Sequence, residues 1–141
     1  MAAINPYLNF NGNTEEVFNF YKSIFGGEFS ALSRFGDMHL GDEITASEME
    51  KIMHISLPIG ESSILMGSDT IESMGPATSG SNFNIAVSPD SKEQATHIFN
   101  SLAEGGQVTM PIDYAPWGAF FGMLTDKYGI AWMVNYEASE Q

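Results

Sequence analysis

Residues 13–27, NTEEVFNFYKSIFGG, decide the fold, because residues 91–106, SKEQATHIFNSLAEGG, repeat their plan. In the first stretch Val17, Phe20, Tyr21, Ile24 and Phe25 fall at i, i+3, i+4, i+7 and i+8, one face of a helix. In the second, Ala95, Ile98, Phe99, Leu102 and Ala103 occupy the same five offsets. Both starts read as capping boxes, Asn13 with Glu16 and Ser91 with Gln94, in which the first side chain accepts from an orphan N–H and the third residue reaches back. Both helices are predicted to stop at a glycine pair, Gly26-Gly27 and Gly105-Gly106, where a left-handed C-cap costs no Cβ clash.

Strand-like runs surround each helix in the same order. Ile4 to Phe10 precedes the first helix and Phe83 to Val87 the second; Glu28 to Phe35 and Gln107 to Pro111 follow the glycine pairs. Each half then closes on a hairpin, Ile52 to Ile59 with Ser63 to Ser68, and Phe120 to Leu124 with Ile130 to Tyr136. The unit is β-α-β-β-β, twice, over about residues 1–70 and 80–137 of one domain spanning 1–141. One helix per several strands argues against a parallel doubly wound sheet. The expected class is α+β: curved, mainly antiparallel sheet, eight strands in all, with the helices on the convex side and a concave face free for a small ligand.

Composition narrows the function. Five Lys plus Arg against eighteen Asp plus Glu give a net charge of −13. The cations Lys22, Arg34, Lys51, Lys92 and Lys127 are scattered, so neither nucleic acid nor an anionic membrane is an expected partner. The absence of cysteine removes disulfides, thiolate nucleophiles and Cys-based metal sites, and fits a reducing, cytoplasmic setting. Residues Met1 to Phe10 lack a basic n-region and an apolar run of signal length, and no apolar run is long enough to span a bilayer.

Four stretches carry a family likeness: Tyr7-Leu8-Asn9-Phe10 with Phe20-Tyr21 and Phe25-Gly26-Gly27-Glu28; Met53-His54-Ile55-Ser56-Leu57 with Leu65-Met66-Gly67-Ser68-Asp69; Gly105-Gly106 with Met110-Pro111; and Trp117 to Gly122 running to Trp132-Met133-Val134-Asn135. In that order they resemble the PhnB-like branch of the vicinal oxygen chelate superfamily, which holds glyoxalase I, bleomycin-resistance proteins and extradiol dioxygenases. The resemblance implies this fold, a homodimer and a pocket within the curved sheet. Metal-dependent relatives take His, Gln or Glu ligands from the first and last strands of each unit, and those positions fall here on Pro6, Met66, Asn84 and Met133. Two thioethers, a proline and an amide do not suit a hard or borderline divalent ion, so no metal or other cofactor is expected. No Gly-rich strand-to-helix loop offers a place for a methyl donor.

Among chemistry-bearing residues, His54 stands out as a candidate acid or base, since strand alternation opposes it to Met53, Ile55 and Leu57. A structural, hydrogen-bonded histidine is the plainer reading. By the same parity the ligand-facing set is Leu8, Phe10, His54, Met66, Asn84, Phe121, Met123, Met133 and Asn135, with Trp117 beside it as a stacking surface. The acidic run Asp37, His39, Asp42, Glu43, Glu48 and Glu50 lacks the spacing of a calcium loop and reads as solvated. Two functions follow. One is a binder of a small hydrophobic or aromatic molecule, without metal. The alternative is an enzyme, through metal-free acid/base chemistry at His54 or as a metal-dependent lyase or isomerase with unrecognised ligands.

Overall fold

The computed structural model describes residues 2–38 and 44–138. The chain divides into two compact units, Met1–Thr78 and Ser79–Gln141. The first runs β1 (Tyr7–Phe10), α1 (Thr14–Phe25), β2 (Ala31–Arg34), β3 (Ile52–Ile59) and β4 (Ser63–Asp69). The second runs β5 (Ile85–Val87), α2 (Lys92–Ala103), β6 (Gln107–Tyr114), β7 (Phe120–Thr125) and β8 (Ala131–Tyr136). The repeated β-α-β-β-β unit and the α+β class are therefore present.

The strands form two four-stranded sheets, ordered β1-β4-β3-β2 and β5-β8-β7-β6, rather than one sheet of eight. Each is mixed: β1 lies parallel to β4 and β5 to β8, while the hairpins are antiparallel. Strands β1, β2 and β5 are shorter than their apolar runs suggested. In contrast, β6 passes through Pro111 as far as Tyr114, an edge position where a missing N–H costs no ladder bond.

Each sheet packs its helix on one face. Gly67 of β4 and Gly122 of β7 mark that face, because a Cβ on Gly67 would stand 2.7 Å from Phe18 Cε1 and one on Gly122 2.6 Å from Phe99 Cε1. An aromatic ring lies flush against bare backbone at both places. This displaces the buried stripe of α1 from the expected one: Thr14, Val17, Phe18 and Tyr21 are buried, while Phe20, Ile24 and Phe25 are half-buried. In α2 the expected Ala95, Ile98, Phe99 and Leu102 are buried and Ala103 is half-buried.

Asn13 makes no side-chain cap. The buried carboxylate of Asp69 caps α1 instead: Oδ1 accepts from Gly12 N (3.0 Å), Thr14 N (3.0 Å) and Thr14 Oγ1 (2.6 Å), and Oδ2 from Ile52 N (2.8 Å). A negative charge at this end also complements the helix dipole. In α2, Ser91 Oγ accepts from Gln94 N at 3.0 Å as expected, but Gln94 Oε1 reaches the N–H of Asp90, not of Ser91. Gly26, Gly27 and Gly105 have positive φ. Gly106 does not; a Cβ there would strike the carbonyl oxygen of Thr125 and stand 2.8 Å from the Asp126 carbonyl carbon, so it serves close approach.

Glu48 corrects the reading of the acidic run as solvated. It is buried, and its carboxylate accepts from Thr45 N (2.9 Å) and Glu72 N (2.8 Å), tying together the short 3-10 turns Ala46–Glu48 and Glu72–Met74. These backbone donors, that of Glu72 foremost, hold its carboxyl below the ordinary 4.5. Asp37 accepts from the backbone of Arg34. His39, Asp42 and Glu43 lie outside the described residues.

Candidate functional site

Strand register assigns the faces away from the helices. In the first sheet Leu8 pairs with Gly67 and Gly67 with Ile55, so these share the face on α1; Phe10, two residues on, shares it too. Leu8 and Phe10 are buried core residues on the side opposite to the one expected of ligand contacts. The alternation was present in Tyr7-Leu8-Asn9-Phe10, whose polar members stand at the odd positions. Tyr7 pairs with Met66 and Met66 with Ser56, which puts Tyr7, Met66, Ser56 and His54 on the open face.

There Tyr7 Oη lies 3.3 Å from His54 Nδ1, with the rings 5.7 Å apart and tilted by 33°. Tyr7 is a residue of this face that the sequence reading did not include among the candidate contacts. The tautomer of His54 sets which group donates. Among the described residues the ring nitrogen's partner is this phenol, and no carboxylate pairs with it. Beside Met66 the other side chains here include satisfied hydroxyls: Ser30 Oγ and the buried Ser56 Oγ are 2.7 Å apart, and the buried Ser68 Oγ donates to Asn9 Oδ1 at 3.2 Å.

The second sheet presents different chemistry. Gly122 faces α2 and pairs with Val134, so the neighbouring pairs Phe121 with Asn135 and Met123 with Met133 face away from the helix. All four are half-buried. Trp117, 65 % exposed in the turn before β7, packs edge-on against Phe121 at 5.5 Å. Asn135 Nδ2 donates to Glu137 Oε2 at 3.2 Å. Asn84 precedes β5 and is exposed. The buried Trp132 occupies the helix side, where its Nε1 donates to Asp126 Oδ2 at 2.8 Å.

The divalent-metal positions implied by the resemblance do not fit such an ion. The carbonyl of Pro6 is taken by Met66 N at 3.1 Å, and the remaining donors are the thioethers of Met66 and Met133 and the exposed amide of Asn84. Among the described residues, no group of three or more His, Asp or Glu is placed to hold a metal ion. None of the described helices is long and apolar enough to cross a membrane.

Comparison with known proteins agrees with this architecture. Residues 2–135 match the family described as 3-demethylubiquinone-9 3-methyltransferase. Protein PA1353 from Pseudomonas aeruginosa is 42% identical, with 99% of this chain and 100% of that one covered and a TM-score of 0.85. The PhnB protein from Bacillus cereus is 27% identical, with 96% and 100% covered and a TM-score of 0.75. A glyoxylase/bleomycin resistance protein/dioxygenase domain from Frankia sp. EAN1pec shares the fold, with a TM-score of 0.69 at 12% identity over 100% and 96% of the two chains. The chain belongs to the 3-demethylubiquinone-9 3-methyltransferase family, the PhnB-like branch of the vicinal oxygen chelate superfamily.

Proposed function

We propose that the chain binds a small hydrophobic or aromatic molecule and holds it without turning it over and without a divalent metal. The observation that carries this is the half-exposed group of Phe121, Met123 and Met133 on the face away from α2, with the indole of Trp117 set edge-on beside it. Flat rings stack on such a surface and thioethers adapt to several shapes. Methyl transfer, which the family's description names, draws no support from the strand-to-helix turns. Gly12 N and Thr14 N at the start of α1 are already bonded to Asp69, and Asp90 N and Gln94 N at the start of α2 to Gln94 and Ser91 side chains.

The second reading is metal-free acid/base chemistry at His54, favoured by its contact with Tyr7 on the open face of the first sheet. Among the described residues it lacks the orienting carboxylate that a catalytic histidine ordinarily has. We further propose that the two units act as one domain in a cytoplasmic homodimer, because β2 and β6 are sheet edges carrying exposed Leu32 and Val108. Sedimentation as a single 15.4 kDa species would count against the dimer.

Native mass spectrometry of freshly purified protein, followed by titration with an apolar fluorescent dye, tests the binding function. A co-purified apolar ligand, and dye binding that Phe121→Asp weakens by about tenfold or more, are expected. Dye binding indifferent to Phe121→Asp refutes this face as the site. His54→Ala separates the two readings, since an enzyme would lose turnover while keeping most of its affinity.

A further inference from the structure

Met110 of β6 pairs with Met123 of β7, and Met123 pairs with Met133 of β8, so three thioethers stand in one row across three adjacent strands. They are all the methionines of the second unit. The strand register of β6 is irregular on both sides of Met110, between Val108 and Met110 and between Met110 and Asp113. Bulges of this kind re-aim a side chain, and here they bring Met110 opposite Met123. Directly opposed residues have Cβ atoms about 4.5–5.5 Å apart, and the flexible methionine side chain lets the outer two sulfurs lean over the central one. Met123 and Met133 are half-buried and Met110 is 44% exposed, so the row is open to an ion.

We propose that Met110, Met123 and Met133 form a binding site for a soft monovalent metal ion, cuprous copper in a cell. Thioethers select such ions, whereas hard divalent ions prefer the carboxylate and imidazole that this row lacks. The donor chemistry that disqualifies a divalent ion at Met133 is what a cuprous ion favours. The net charge of −13 raises the local concentration of any cation.

The test uses metal alone, so its outcome does not depend on the small-molecule reading. The full chain is titrated calorimetrically with Ag(I), a redox-inert stand-in, and with Cu(I) against a chromophoric chelator under anaerobic conditions. One ion per chain is expected. Met123→Leu should weaken binding by about tenfold or more, and Met110→Leu and Met133→Leu should each weaken it less. Met74→Leu, altering an exposed methionine of the first unit, should change nothing. In protein labelled at the methionine methyl carbons, the resonances of Met110, Met123 and Met133 should shift together on adding Ag(I). Failure of the ion to bind at about millimolar concentration or below, or equal binding by all three row variants and the parent, overturns the proposal. So does a methyl shift confined to other methionines.

Discussion

Asp69 is a point at which one substitution should undo the first unit. Its carboxylate accepts four hydrogen bonds, from Gly12 N, Thr14 N, Thr14 Oγ1 and Ile52 N, and it is 2% exposed. It thereby joins the end of β4 to the start of α1 and the start of β3. A hydrogen bond to a charged group contributes about 1.5–3 kcal/mol. The four share one carboxylate and cannot be summed, but Asp69→Ala leaves donors without an acceptor, and breaking such a buried network costs about 3–5 kcal/mol. Asp69→Asn keeps one acceptor oxygen while turning an NH2 toward a donor, so about 2–3 kcal/mol is expected. The assay is urea unfolding at pH 7, with the midpoint and slope compared between variants. Asn13→Ala is the paired control: it removes the residue that sequence alone names as the cap, and it should cost less than about 0.5 kcal/mol because no cap bond exists to lose. Should Asn13→Ala prove as damaging as Asp69→Ala, or Asp69→Ala cost under about 1 kcal/mol, the assignment of the cap to Asp69 is wrong.

Gly67→Ala and Gly122→Ala should each cost about 1–3 kcal/mol in the same assay, because the new methyl meets Phe18 or Phe99. Phe99→Leu should recover only part of the loss in Gly122→Ala, because the methyl also stands 2.8 Å from Ile112 Cα, and a neutral Gly122→Ala would deny the close contact. Glu48→Gln should destabilise the protein at pH 7. The folded-state pKa of Glu48 is lowered, so its stabilisation is fully present above 4.5 and is lost as pH falls through the lower folded value. The gap between Glu48→Gln and the parent should therefore shrink on acidification below 4.5; a gap independent of pH refutes the role of the ionised carboxylate. Replacing Arg34 with Lys should weaken the tie between β2 and α1, since Arg34 bonds both oxygens of Glu15 and the Glu50 carbonyl, a fork that lysine lacks. The pair is partly exposed, so a loss of under about 1 kcal/mol is expected, and a larger loss would mean that the tie is not screened by solvent.

The repeat, both helices and the hairpins were legible because helical and strand periodicities are local signals with offsets that recur in the two halves. The displaced α1 stripe was not legible. Phe18 is buried because Gly67, forty-nine positions away, leaves room for its ring, and only tertiary packing brings the two together. Asp69 as a helix cap was hidden for the same reason, whereas Ser91, whose bond to Gln94 is local, was found. On the open faces, parity assigned His54, Met66, Phe121, Met123, Met133 and Asn135 consistently with the pairing, and failed at Leu8 and Phe10. That failure came from the choice of face for a strand only four residues long, where a displacement by one residue inverts every side chain.

The two halves keep one plan on the helix side and depart from each other on the open side. Toward the helices both sheets present apolar residues with a glycine beneath an aromatic ring, Gly67 under Phe18 and Gly122 under Phe99, and there a one-carbon change meets close packing. Away from the helices both faces are mixed but weighted differently: phenol, imidazole, hydroxyls and one thioether at Tyr7, His54, Ser56, Ser68 and Met66, against aromatic, thioether and amide groups at Phe121, Met123, Met133 and Asn135. A ligand held on the open face of the second sheet, as proposed above, gives the aromatic and thioether groups there a physical reason. Tyr7→Phe tests the acid/base reading of His54 within the first unit, because it retains the ring against His54 and removes only the hydroxyl. It should leave affinity for an apolar dye on the second sheet unchanged while shifting the NMR resonances of the His54 ring, whose hydrogen-bond partner it removes. His54 ring resonances unmoved by the substitution would show that the Tyr7 hydroxyl makes no hydrogen bond to it.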